Sequence, residues 1–417
     1  MTELFILTDD LTGALDTGVQ FAAAGAVALV ITDRSMDLRN VDQKVQVLVV
    51  DAETRHMNPA QASQTIRDIM ERASQIGVRY IYKKTDSALR GNIGAELEAA
   101  LKASGRPRIH FLPAFPSMGR ITRNGIHYVD GVPVSQSVFG QDPFEPVEDS
   151  SVAKIIAKQT ALPIHEMGSV LPEGKLPEGI LVYDSTTEEE LKSLAEQLDQ
   201  RGELVLTAGC AGFAAVLPHL LGLEGTKTKA GFTDPCLLVA CGSVNPITVA
   251  QLDTAEQAGV GRFHLTPQQK LEPSWVDSPE ADAFAALWSH RCGQDGVYIL
   301  DSNDPKGSQQ TVQYAERHRM SLEAVRVNIS ACLGAMVKKM LDHGLQATLL
   351  LTGGDTLLAF MQCMGIQMLE PMGEVAPGAV LSGFTYHGRD YRVVSKSGGF
   401  GKNSLILDLN LLLKQKN

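Results

Sequence analysis

Two adjacent aspartates, Asp9 and Asp10, close the apolar run Leu4 to Leu7, and Leu11, Ala14, Leu15, Gly18, Val19 and Ala22 follow at helical spacing. A buried strand that turns straight into an amphipathic helix carries such acids at its carboxyl end, where open α/β sheets bind ligands. Capping the helix by accepting backbone N–H bonds would occupy one carboxylate. Two exceed what a cap needs.

Partners for these acids stand on two further segments. Tyr82-Lys83-Lys84-Thr85-Asp86-Ser87-Ala88-Leu89-Arg90-Gly91-Asn92 follows a predicted strand and precedes a predicted helix, and Asp51-Ala52-Glu53-Thr54-Arg55 follows another strand. Asp86 adds a third acid; Arg55, Lys84 and Arg90 add cations. Arginine presents paired donors that match a carboxylate, so these loops could clamp a small organic acid while an aspartate addresses its hydroxyl. Each residue alone also reads as a surface ion pair or a cap, and the convergence of three strand-end loops is what argues for a site. Arg120, in the proline-braced loop Pro113 to Arg120, could reach the same pocket or lie solvated in a turn.

The second half carries small residues at its strand ends. Cys241-Gly242-Ser243-Val244-Asn245-Pro246 opens one helix, with proline suited to the first helical position. Leu351-Thr352-Gly353-Gly354-Asp355-Thr356 opens another, and Ser395-Lys396-Ser397-Gly398-Gly399-Phe400-Gly401 follows a third strand. Glycine lets a phosphate approach the main chain, and a helix N-terminus adds favourable partial charge. Three such turns in one domain suggest a nucleotide-phosphate pocket, although any one of them is common in α/β proteins. Neither half opens with the G-x-G-x-x-G dinucleotide fingerprint, which disfavours a nicotinamide dehydrogenase. Gly401-Lys402-Asn403-Ser404 approaches a P-loop but has Asn403 where Ser or Thr is required.

Elements that would position these residues are legible as alternation. Strands are predicted at 4–8, 26–31, 45–50, 78–83, 108–113, 180–184 and 203–207, with helices near 11–24, 59–76, 93–103, 151–159, 187–200 and 210–220. After a polar, Gly-rich stretch at 222–235, strands are predicted at 236–241, 262–265, 296–301, 347–352, 379–384 and 391–395, with helices near 246–258, 281–291, 308–319, 321–342, 355–364 and 404–414. The pattern predicts two α/β domains, 1–225 and 226–417, with mainly parallel sheets and helices on both faces. Residues 113–147 break the rhythm; within them a hairpin is predicted, with Asp130-Gly131 as its turn.

Composition bounds the rest. The 417 residues are 44% hydrophobic and 20% charged, as in folded proteins, and the formal charge of −11 argues against a nucleic-acid partner. Six cysteines show no metal-finger spacing and read as free thiols. His56, His127 and His264 form no zinc pair and read as structural or solvent-facing. No run reaches the roughly 20 apolar residues of a membrane span, so a cytoplasmic location is the default.

Thr8 to Ala14, Lys83 to Gly94, the run FLPAFPSMGRITRNGIHYVDGVPV at 111–134, Thr352 to Thr356 and Gly398 to Gly401 together resemble the four-carbon acid sugar kinases. The likeness is collinear over nearly the whole chain, and Lys83 to Gly91 is closest to the D-threonate and D-erythronate kinases. The resemblance implies a substrate-binding first domain, an ATP-binding second domain and an active site in the cleft between them. It also implies phosphoryl transfer to the 4-hydroxyl of a four-carbon sugar acid, D-threonate first and D-erythronate next; a 3-oxo-tetronate kinase is the alternative. Asp9, Arg55, Lys83, Lys84, Thr85, Asp86 and Arg90 fall toward the substrate, with Asp9 or Asp86 addressing the hydroxyl. Ser243, Gly353, Gly354, Asp355, Thr356, Gly398 and Gly399 fall toward ATP. Mg²⁺ would bridge the phosphates, with no protein ligand assigned to it, and a homo-oligomer stays open. A small-acid-binding regulatory protein without turnover is the rival from another class.

Overall fold

The opening apolar run forms β1 (Leu4–Thr8), buried at all five positions, as a parallel strand covered on both faces requires. The computed structural model describes residues 2–142, 146–226, 231–232, 234–292, 296–396 and 399–414. Its chain divides into two compact units, Met1–Thr228 and Lys229–Asn417.

In the first unit, β1 is followed by β2 (Ala28–Ile31), β3 (Val47–Asp51), β4 (Tyr80–Lys84) and β5 (Arg108–Leu112). Helices Leu11–Ala24, Pro59–Ser74 and Ile93–Ser104 follow β1, β3 and β4 respectively. A small antiparallel sheet comes next, β6 (Arg120–Arg123), β7 (Ile126–Val129) and β8 (Val132–Pro133). The main sheet is completed by β9 (Ile164–Gly168), β10 (Gly179–Tyr183) and β11 (Leu206–Gly209). It runs β2-β3-β1-β4-β11-β5-β10-β9, with every neighbouring pair parallel. The chain leaves β1 toward β2 on one side and leaves β4 toward β5 on the other. The loops after these two neighbours therefore diverge and open a crevice at their carboxyl ends. Those loops are the ones that carry Asp9 and Asp86.

The second unit repeats this winding. Its strands are β12 (Cys236–Cys241), β13 (Gly261–His264), β14 (Gly296–Asp301), β15 (Thr348–Thr352), β16 (Met368–Ala376), β17 (Ala379–Tyr386) and β18 (Arg389–Lys396). They stand in the order β13-β14-β12-β15-β18-β17-β16, parallel from β13 to β18 and antiparallel over the last three. Here β12 leads away to β13 and β15 leads the other way to β16, so a second divergence falls at Gly242 and Gly353.

Alternation predicted most of these elements, and the exceptions have physical reasons. The helix expected over 210–220 is two short turns, Ala211–Ala214 and Leu217–Leu220, because Pro218 has no N–H to continue a helix and is tolerated only at its start. β16 was not expected: Pro371 and Gly373 disguise it, and the register against β17 shifts between these two residues. β9 is a short edge strand with no fully buried position. The hairpin turn at Asp130-Gly131 forms as predicted, both residues at positive φ, and Asn124-Gly125 makes a second such turn between β6 and β7. All six cysteines are free. Among the described residues no single helix is long and apolar enough to cross a membrane.

Candidate active site

Three strand-end loops of the first unit bring Asp9, Asp10, Arg55, Lys84, Asp86 and Arg90 into one charge network. Asp9 Oδ2 accepts from Arg55 Nε at 2.7 Å, and Arg55 Nη1 donates to Asp10 Oδ2 at 2.8 Å. Asp10 also caps the helix Leu11–Ala24, accepting from Gly13 N at 3.0 Å. Capping and pairing thus fall to different oxygens of one carboxylate. Asp86 is bound by Arg90 through both oxygens, at 2.9 and 3.0 Å, and accepts the Ala88 and Arg90 amides as well.

Two groups in this network keep bonding capacity. Asp9 Oδ1 is buried and has no hydrogen-bond partner among the described residues. The Lys84 ammonium stands 3.8 Å from Asp9 and 3.9 Å from Asp10, an ion-pair separation but longer than a hydrogen bond. A Cβ on Gly13 would overlap that ammonium, so only glycine leaves Lys84 its place.

Electrostatics keep Asp9, Asp86 and Lys84 ionised. Burial alone would raise the Asp9 carboxyl, but Arg55, Lys84 and Lys83 outweigh it and hold it below the ordinary value. Burial is likewise overcome at Asp86, held well below the usual carboxylate range by Arg90 and Arg55. For Lys84, burial would favour the neutral amine, yet Asp9 and Asp10 keep it above its ordinary value. Behind the cluster the sign reverses: burial and then Glu53 push Asp51 well up.

Not every predicted residue joins the network. Lys83 is fully buried, with its ammonium 2.6 Å from Glu96 and donating to the Lys84 carbonyl, so it braces the end of β4. Thr85 is buried and its amide donates to Gly209 O at 2.8 Å. Arg120 donates to the Met118 carbonyl and lies 3.6 Å from Asp130. It shares the Phe139 ring with Arg90, the two guanidinium carbons being 5.9 and 5.1 Å from its centre.

Other contributors escaped the sequence reading. Asn92 looks like a helix cap, but its amide instead donates to Thr54 O and Met57 O at 2.8 and 2.9 Å, tying the Arg55 loop to the Arg90 loop. Glu53, at φ 46°, accepts from Leu11 N at 3.2 Å. His127, read as structural or solvent-facing, is fully buried; its Nε2 bonds Ser87 O at 2.8 Å and its Nδ1 pairs with the Thr122 hydroxyl at 3.0 Å. These contacts span 35 to 42 residues, apart from the local Thr122 bond, and have no local sequence signature.

In the second unit, Gly242 N donates to Thr352 O and Gly353 N to Lys396 O, both at 3.3 Å, which aligns the three small-residue loops side by side. Gly353 has φ 95° and precedes the helix Gly354–Met364 without any side-chain cap, leaving that N-terminus open. A Cβ on Gly242 would collide with the buried Thr356 hydroxyl. These features fit a phosphate group approaching the main chain. Ser243 O accepts from Asn303 Nδ2 at 3.1 Å, a brace the sequence did not reveal. Gln251 holds the Gly399 loop by donating to Phe400 O and Lys402 O at 3.1 and 3.0 Å. Asp355 is engaged by Arg326, and Gly398 lies outside the described residues. Among the described residues no group of three or more His, Cys, Asp or Glu could hold a metal ion.

The family pattern described as a sugar-binding N-terminal domain matches residues 4–217, and that described as a nucleotide-binding C-terminal domain matches 238–406. The chain is 29% identical over 426 residues to a D-threonate kinase of Salmonella typhimurium, covering 97% of each sequence. It is 26% identical over 431 residues to a D-erythronate kinase of Heliobacterium modesticaldum, covering 97% of this chain and 95% of the other. Its fold is shared by the crystal structure of a Salmonella typhimurium LT2 protein with a provisional tRNA synthase designation. That TM-score is 0.80 at 18% identity, over 98% of this chain and 99% of the other. With both domain patterns matched in order along a chain whose two sheets each diverge at the expected loops, the protein belongs to the four-carbon acid sugar kinase family.

Proposed function

We propose that this protein transfers the terminal phosphoryl group of ATP to the 4-hydroxyl of D-threonate, yielding ADP and the 4-phosphate. The observation that carries this reading is Asp9: one oxygen is fixed by Arg55, while the other is buried, ionised and open to a donor. A hydroxyl is such a donor. Phosphoryl transfer asks mainly for positioning and charge stabilisation, so a carboxylate of lowered pKa can orient the nucleophile without being a strong base.

The bonding pattern divides the remaining roles. Asp86 is saturated by Arg90 and two amides, which makes it the orienter of Arg90 in preference to Asp9 as the group that addresses the hydroxyl. Lys84, charged and without a close hydrogen bond, is the cation best suited to the sugar acid's carboxylate. Arg55 gives its donors to Asp9 and Asp10 and so acts on substrate chiefly by fixing Asp9.

The loops at Ser243, Gly353 to Thr356 and Gly399 would hold the nucleotide through backbone amides and an open helix N-terminus. Mg²⁺ would supply charge neutralisation on the phosphates, its coordination drawn from phosphate and water oxygens.

A coupled ADP-release assay with ATP, Mg²⁺ and separate four-carbon acids tests the reading. The largest kcat/KM is expected with D-threonate. Preference for D-erythronate or 3-oxo-tetronate would correct the substrate and keep the reaction, whereas binding without ADP release from any of them would sink the kinase assignment.

A further inference from the structure

Lys396 ends β18 beside the point where the three small-residue loops of the second unit run together. It stands opposite Thr352 in register, and its carbonyl accepts from Gly353 N. The side chain is 2% exposed, and its ammonium donates at 2.9 Å to the Thr248 hydroxyl, in the first turn of the helix Pro246–Gln257. That helix follows the Ser243 loop. The ammonium is therefore placed among the Cys241–Ser243 turn, the Thr352–Gly354 turn and the start of the helix.

Resting on the nucleotide reading above, we propose that Lys396 is the cation that meets the phosphate groups of the bound nucleotide.

Three observations support this. Burial pushes the Lys396 ammonium down to about 8, and only a thiolate at Cys241 would oppose it. Cys241 itself is pushed up to about 12, by burial first and then by Asp301, so it stays a neutral thiol wherever Lys396 titrates. The backbone donors of the adjoining turns already favour an anion at this edge, and a phosphate there would draw the lysine's pKa back up by direct attraction. A cation that is partly neutral in the empty pocket and charged in the filled one links phosphate binding to proton uptake.

Calorimetric titration with ADP at pH 8.5, in two buffers of different ionisation enthalpy, reads that uptake directly. The wild-type protein is expected to take up roughly half a proton or more per ADP, since a lysine with a pKa near 8 is mostly neutral there while ADP is fully ionised. Lys396→Arg should keep ADP affinity and lose the uptake, because arginine is always charged. Lys396→Met should weaken ADP about tenfold or more at pH 7, the worth of a charge-assisted hydrogen bond, and change adenosine affinity less than about twofold.

ADP binding by the wild type without proton uptake would overturn the role of Lys396 and leave the nucleotide site standing. So would uptake that persists in Lys396→Arg, or equal weakening of ADP and adenosine in Lys396→Met. No ADP binding by the wild type would overturn both. The wild-type measurement holds whether or not either variant folds.

Discussion

Arg55 Nε donates to Asp9 Oδ2 at 2.7 Å across 46 residues of sequence, and the Asp9 carbonyl accepts the Thr54 and Arg55 amides, so side chain and backbone fix the same pair. Removing the guanidinium leaves the buried Asp9 and the half-buried Asp10 with only the longer Lys84 ion pair between them. Arg55→Ala is expected to lower stability by roughly 3 to 5 kcal/mol, the usual cost of breaking a buried ion pair. It should also raise the KM for the sugar acid far more than that for ATP. Denaturant titration and steady-state kinetics check both effects, and equal changes in the two KM values would remove Arg55 from the substrate side.

The buried His127 is held near a pKa of about 4 by burial, against the raising effect of the Ser87 carbonyl. Its folded pKa lies below the ordinary value of 6.5, so the unfolded chain binds a proton before the folded one does. The stability this neutral imidazole contributes is present above pH 6.5 and falls away between about 6.5 and 4, by roughly 3 kcal/mol in total. Replacing it by Gln, which keeps a donor for Ser87 O, should flatten that part of the stability profile. An unchanged profile in His127→Gln would assign the acid sensitivity elsewhere.

Glycines at the two strand divergences make a crossed experiment. Gly13→Ala forces its Cβ against the Lys84 ammonium, and Gly242→Ala forces its own against the Thr356 hydroxyl. Overpacking against the short Thr356 side chain costs about 1 to 3 kcal/mol, or roughly 5- to 150-fold if it is felt in binding, whereas the Lys84 ammonium ends a flexible chain and is displaced from its place instead. The first change is expected to raise the KM for the sugar acid alone and the second that for ATP alone. Both substrates responding to both changes would count against the division of labour between the units.

Asp51 is buried with its carboxyl pushed well up, and Oδ1 accepts from Glu53 N at 3.1 Å. An acid that keeps its proton in the fold but loses it when unfolded costs stability increasingly as pH rises above its ordinary value of 3.8. Asp51→Asn retains the acceptor for Glu53 N and removes this penalty. The variant should be more stable than the parent at pH 8, and the advantage should shrink toward pH 4. Melting curves at the two pH values decide it; a constant difference would mean that Asp51 does not hold that proton.

Much of this site was legible because its residues lie at ends of strands, and strand ends are what hydrophobic periodicity locates best. Asp9 and Lys84 each follow an apolar run within two residues and Asp86 within four, so their convergence followed from the parallel-sheet reading. The bracing partners were hidden for the opposite reason. Glu53, Asn92, His127 and Asn303 act through contacts set by tertiary packing, and Asn92 even presents the local look of a helix cap it does not form. Lys83 and Lys84 are adjacent in sequence, yet strand alternation sends one ammonium to Glu96 and leaves the other beside Asp9 and Asp10. Pattern alone could not say which was which.

The end of the first unit is clasped to its beginning. Gly225 N donates to Ala24 O at 3.0 Å, and a Cβ on Gly25 would run into the Gly225 backbone, so two glycines from opposite ends of the unit touch main chain to main chain. The polar stretch at 222–235 therefore begins as part of the first unit, its residues up to Gly225 being anchored to that unit's body. Truncation experiments should respect that seam: a first unit cut after Gly225 keeps the clasp, whereas one cut at Leu221 frees the carboxyl end of the helix that begins next to Asp10.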